Sequence, residues 1–201
     1  MELIKSIYDK KNYKFLKLKN KLKVIIVNDK EADMSAACML IKTGYRDDTV
    51  SGIAHFLEHM LFMGTKDYPK ENDYFEFISK NGGMSNAGTG FHQTQYYFNI
   101  IPDKFLESLK IFSSFFTNPL LNEKSIQKEI NAVHAEHSKN INNDGRRIYR
   151  LLGEIVNTDH PLKNFGTGNS ETLNIPNIRD KLIDFYNCFY KPENMCLVIH
   201  S

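Results

Sequence analysis

The segment Gly52-Ile-Ala-His55-Phe-Leu-Glu58-His59-Met-Leu-Phe-Met-Gly64 constrains this chain more than any other stretch. It sets three polar side chains in an otherwise apolar run with glycine at both ends, which reads as a buried helix with Ser51 as its N-cap. On a helix of 3.6 residues per turn, His55 and His59 rise from one face about one turn apart, as two imidazoles must to share a metal ion. Glu58 falls about 60° round from His55, a position suited to a base acting on a metal-held water rather than to a third ligand. Ile53, Phe56, Leu57, Met60, Leu61 and Phe62 occupy the remaining directions, so the polar triplet has to face a cavity inside a core.

His-x-x-Glu-His is the inverted zinc-peptidase signature, but so short a pattern also arises by chance among hydrogen-bonded core residues. A catalytic zinc takes three protein ligands plus water, and Glu is an accepted third. A candidate lies in a helix expected from about Glu123 to Lys139, where Glu129 and Glu136 are seven residues apart and within about 20° of one face. Val133 sits between them on the same stripe. Two carboxylates on an apolar stripe are costly unless paired or metal-bound. The alternative is an exposed pair on a solvated face, and periodicity does not choose between them.

With 201 residues, 41% of them hydrophobic, the chain can bury one large core or two small ones. The net charge of +2 arises from 26 basic and 24 acidic side chains spread along the sequence, which argues against a nucleic-acid partner. Lysines between Lys10 and Lys23 alternate with Tyr13, Phe15, Leu16 and Leu18, as on the solvated face of a strand. Cys38, Cys188 and Cys196 lack metal-ligand spacing and stand among apolar neighbours, so they read as reduced core residues of a cytoplasmic protein. No apolar run reaches the length of a membrane span, and no signal-peptide core opens the sequence.

Strands are expected over Tyr13–Asn20, Leu22–Asn28 and Met34–Lys42, with Val24 to Val27 buried on both faces. A second helix should start near Pro69 and end at Asn81-Gly82-Gly83. Met84-Ser-Asn-Ala-Gly-Thr-Gly90 reads as a turn or as flexible backbone offering hydrogen bonds to an extended peptide, and Gln95–Ile100 as a strand. Helices follow from Pro102 to Phe116, from Glu123 to Lys139 and from Arg146 to Val156, then a loop over His160–Gly168. A last helix over Pro176–Tyr190 precedes a core strand over Asn194–His200. Strands and helices interleave without a strict βαβ rhythm, giving an α+β fold with helices packed on one face of a sheet.

His55-Phe-Leu-Glu-His-Met-Leu-Phe-Met-Gly-Thr-Lys66, Tyr68-Pro-Lys-Glu-Asn72, Ser85-Asn-Ala87, Glu129-Ile-Asn-Ala-Val133, Glu136-His137 and Phe165-Gly-Thr-Gly-Asn169 together carry a further reading. Over nearly its whole length the chain resembles the N-terminal domain of the pitrilysin or insulinase family of inverzincin metallopeptidases. The resemblance implies a mixed, mainly antiparallel sheet with helices on one face, residues 1–201 being one zinc-bearing catalytic domain of a longer four-domain enzyme. It implies one Zn2+ per chain on His55, His59 and Glu136, with Glu58 as general base and Glu129 supporting the ligands from behind. Asn86 and Ala87 match residues of an edge strand that pairs with a peptide substrate, and Phe62 matches a pocket-lining aromatic. Gly88 and Arg146 depart from the resembled enzyme, which carries Phe and Trp there.

The implied activity is endopeptidase cleavage of peptides and small proteins, with C-terminal domains of the full-length enzyme as partners. Those domains supply an Arg and a Tyr to the site, so the isolated piece is expected to be nearly inactive. Members of the fold that have lost the motif serve as non-catalytic metal-binding or assembly subunits, the alternative reading.

Overall fold

The computed structural model describes residues 4–157 and 159–201. Six strands form one sheet in the order β1-β2-β6-β3-β5-β4. They are β1 (Asn12–Lys17), β2 (Lys23–Asn28), β3 (Ser35–Ile41), β4 (Met84–Thr89), β5 (Thr94–Ile100) and β6 (Met195–His200). All neighbouring pairs are antiparallel except β2 with β6. The sheet is therefore mixed and mainly antiparallel, as expected.

Seven helices accompany it among the described residues: α1 (Ile53–Leu61), α2 (Asp73–Lys80), α3 (Phe105–Ser114), α4 (Glu123–Asn140), α5 (Asp144–Ile155), α6 (Ser170–Leu173) and α7 (Ile178–Phe189). Period-2 alternation decides which face of the sheet they cover. Ala37, Met39 and Ile41 of β3 and Tyr96, Phe98 and Ile100 of β5 are buried beneath helices, while Ala36, Cys38 and Leu40 on the other face stay half-buried. In α1, Phe56, Leu57, Met60 and Leu61 are completely buried against α4, α7 and β4. Each such side chain contributes about 1.5–3 kcal/mol on leaving water, enough to hold the helix although Glu58 is buried with them.

Several expectations need correction. Val24 is buried, but Ile25, Ile26 and Val27 are half-exposed, because β2 lies next to the edge strand β1 and is less fully covered than the central strands. Cys38 and Cys196 are half-buried and Cys188 is exposed; all three are free thiols, and none is a core residue. The second helix begins at Asp73, not Pro69, since Thr65 donates its N–H to the Tyr68 carbonyl and turns the chain there. Met84–Thr89 is an edge strand, not the turn its composition alone suggests, fixed by its ladder with β5. Tyr74 donates to the Ser85 hydroxyl, which in turn donates to the Tyr97 carbonyl, pinning α2 to the same strand. Residues Ser170–Leu173 form a short helix capped at its N-terminus, where the Asn169 side chain accepts from Thr172 N–H and the Thr172 hydroxyl accepts from Asn169 N–H.

The α1 terminus also differs. Its N-cap is Gly52 in a left-handed conformation (φ 87°), not Ser51. The Asp48 carboxylate accepts hydrogen bonds from Gly52 N–H at 2.8 Å and Ala54 N–H at 3.1 Å, satisfying orphan donors of the first turn.

Candidate metal centre

His55 and His59 lie one turn apart on α1, with ring centroids 4.8 Å apart and planes nearly perpendicular. Each ring is oriented through Nδ1. His55 Nδ1 donates to the Thr167 carbonyl at 2.7 Å, and His59 Nδ1 donates to Glu129 Oε2 at 3.3 Å. A carbonyl and a carboxylate only accept, so both Nδ1 atoms carry hydrogen and both Nε2 atoms are left to face the cavity. The Thr167 carbonyl reaches His55 because α1 and the 165–168 loop approach through two glycines. A Cβ on Gly52 would stand 2.3 Å from the Gly168 Cα, closer than any side chain allows.

Glu136 on α4 completes the group. Its Oε2 lies 3.4 Å from His55 Nε2 and 3.7 Å from His59 Nε2, and the three ligand-type atoms fall within 4.8 Å of one another. A tetrahedral ion with bonds of about 2.0–2.2 Å sets neighbouring ligand atoms about 3.3–3.6 Å apart, so the two imidazole–carboxylate distances lie close to what zinc needs, and the His2Glu donor set suits it. Glu129, two turns earlier on α4, meets only the far side of His59. The two carboxylates that helical spacing alone leaves equivalent are separated by where α4 crosses α1.

Electrostatics follow from this packing. The imidazoles beside Glu136 hold its carboxyl well below the usual range. Burial pulls His59 down, but hydrogen bonds to Glu129 and Glu136 overcome it and raise the imidazole to about 9. Burial pushes the Glu58 carboxyl up, opposed by the Thr89 hydroxyl, which donates to Glu58 Oε2 at 2.6 Å. The sequence gives no sign of the roles of Thr89 and Thr167. Thr89 is hidden in a small, Gly-rich stretch; Thr167 acts through its backbone, which no side-chain pattern reveals.

These groups line a cavity of about 1120 Å3 whose walls are the edge strand β4, α4, α5 and the 162–167 loop. Asn86, Ala87, Gly88 and Thr89 all border it. The Asn86 side-chain carbonyl accepts from Ala87 N–H at 2.9 Å, so an edge donor is covered by its own neighbour. Phe62 does not line the cavity. It packs among Tyr74, Phe75, Tyr96 and Phe115 because the last turn of α1 directs it into the aromatic layer beneath β4.

Residues 23–159 match the family model described as Insulinase (Peptidase family M16). The A-factor-processing enzyme of Saccharomyces cerevisiae is 42% identical over 207 residues, covering 99% of this chain and 20% of that protein. Insulin-degrading enzyme of Homo sapiens is 39% identical over 205 residues, covering 98% of this chain and 20% of that protein. The crystal structure of pitrilysin superposes with a TM-score of 0.96 at 32% identity, covering 98% of this chain and 22% of that one. The chain spans about a fifth of the length of these relatives. On sequence and fold alike, it belongs to the insulinase family of peptidases.

Proposed function

We propose that this chain is the zinc-bearing domain of a metalloendopeptidase that cleaves peptides and small proteins. The observation that carries the reading is the convergence of His55 Nε2, His59 Nε2 and Glu136 Oε2 beside a buried Glu58 at an edge strand. In this reading His55, His59 and Glu136 hold one zinc, and Glu129 and the Thr167 carbonyl fix the two rings. When bound, zinc supplies a Lewis acid that brings the acidity of water toward neutral pH.

Glu58 takes a proton from the attacking water and returns it to the leaving amine. Its burial favours the protonated form needed for that return, and the bond from Thr89 fixes which oxygen faces the reaction. The peptide adds as a strand along β4, displacing the Asn86 side chain from Ala87 N–H to gain a main-chain bond. Phe62, half-buried and stacked on the exposed Phe75, lines a side-chain pocket for the peptide in this reading. A non-catalytic metal-binding subunit is disfavoured, since it has no use for a desolvated Glu58 next to the ligands.

Residues 1–201 form one domain of a four-domain enzyme in this account, and the whole protein works on its peptides in the cytoplasm. Because this chain spans about a fifth of its relatives, the isolated piece is expected to fold yet turn over peptide poorly. Groups contributed by the remaining domains to the oxyanion are worth about 10²–10³ in rate. The test is hydrolysis of a quenched peptide by the full-length protein. Activity abolished by a chelator and restored by zinc supports the reading; chelator-insensitive cleavage contradicts it. Among the described residues no helix is long and apolar enough to cross a membrane.

A further inference from the structure

The cavity wall contributed by α5 is cationic, with Arg146, Arg147 and Arg150 all lining it. The carboxylates on the same lining are Glu58 and Glu136, and both are taken, one by Thr89 and the other by two imidazoles. The three arginines are not alike. Arg147 reaches Asp144 at 3.3 Å on its own helix. Arg150 pairs with Glu154 and donates to the Lys163 carbonyl at 2.8 Å. Among the described residues Arg146 has one carboxylate within ion-pair range, Glu136 Oε1 at 4.0 Å, at the outer limit of such a pair.

A Glu136 that serves a metal has little charge left to neutralise Arg146. The guanidinium, 53% exposed, then stands beside the reaction site without an anion of its own. On the β4 side of the cavity, Gly88 leaves room: a Cβ built there meets nothing within 4 Å.

We propose that Arg146 selects peptides that carry Asp or Glu adjacent to the scissile bond, seating the acidic side chain between α5 and β4. The proposal rests on the peptidase reading for the nature of the occupant. A guanidinium presents forked donors that match a carboxylate, and it rejects a basic side chain by repulsion. A strand added along β4 advances about 3.3 Å per residue. The residue next to the bond at the metal site therefore comes within reach of a group 4.0 Å from a ligand carboxylate.

Two quenched peptides differing only in Asp against Asn beside the cleaved bond are compared on the full-length, zinc-loaded protein. Their affinities are also measured by fluorescence anisotropy on a Glu58→Gln background, where chemistry is blocked. The acidic peptide should be favoured about tenfold in kcat/KM and in affinity. Arg146→Met should bring both ratios to within about twofold of unity, with zinc content unchanged, and Arg146→Glu should invert the preference toward a Lys peptide. Cleavage or binding without an acidic preference in the wild type overturns the proposal. So does a preference that survives Arg146→Met, or Arg146→Met reducing zinc content while the ratio stays fixed, since Arg146 would then only hold Glu136. Binding preference without chelator-sensitive cleavage would sink the peptidase reading instead and leave the role of Arg146 supported.

Discussion

The Thr89 hydroxyl donates a 2.6 Å hydrogen bond to Glu58 Oε2, tying the edge strand of the sheet to the middle of the helix that carries both histidines. This bond stabilises the ionised carboxylate against a burial that disfavours it. It also couples the strand that would receive a peptide to the group that would move the proton.

Replacing Thr89 with Val keeps the shape and removes the donor. The expected result in the full-length protein is a kcat lower by roughly tenfold with zinc content unchanged, because a misoriented base is penalised in the chemical step. Thr89→Ser, which keeps the hydroxyl, should recover most of the rate. Steady-state kinetics of the two variants check this, and equal rates for Thr89→Val and wild type would remove Thr89 from the site.

Asp48 provides a stability test away from the chemistry. Asp48→Ala strips both acceptors from the first turn of α1 and should cost about 1–2 kcal/mol in denaturant unfolding. Asp48→Asn, which retains one acceptor and carries no charge, should cost less. Burial raises the Asp48 carboxyl from 3.8 to about 7. The folded state therefore binds more protons than the unfolded state between those values, and stability from this group falls as pH rises through that window. Asp48→Asn should flatten that slope; an unchanged slope would show that Asp48 does not titrate there.

The legibility of this chain was uneven, for physical reasons. Elements with strong apolar periodicity, α1, α3, α7 and β5, were readable because burial alone dictates them. Strand β4 was not, since Ser85, Asn86, Ala87 and Gly88 have little strand preference of their own and are held by pairing with β5. Ser51 is the hydroxyl nearest the start of α1, but the carboxylate of Asp48 reaches across the turn to its N–H groups, a contact that adjacency in sequence does not reveal. Spacing placed His55 and His59 together but left Glu129 and Glu136 equivalent. Only the crossing of α4 over α1 puts Glu136 against both Nε2 atoms and Glu129 against His59 Nδ1. The packing of Phe62 against Tyr74, Phe75, Tyr96 and Phe115 depends on tertiary contacts that no local pattern in the sequence records.

Metal binding should release protons. With His59 raised to about 9 in the metal-free protein, its imidazole is protonated at pH 7, yet it must be neutral to ligate. Zinc titration at pH 7 in buffers of different ionisation enthalpy should report about one proton released, falling toward zero as pH rises through 9. No proton release at pH 7 would contradict the assignment of His59.

The central claim is that Glu58 performs the proton transfer at a metal held by His55, His59 and Glu136. The most direct measurement is zinc content and peptide turnover, made side by side on full-length wild type, Glu58→Gln and Glu136→Ala. The account predicts that Glu58→Gln keeps its zinc and loses on the order of a hundredfold or more in kcat, while Glu136→Ala loses both metal and activity. Unchanged turnover in Glu58→Gln, or full zinc content in Glu136→Ala, would contradict it.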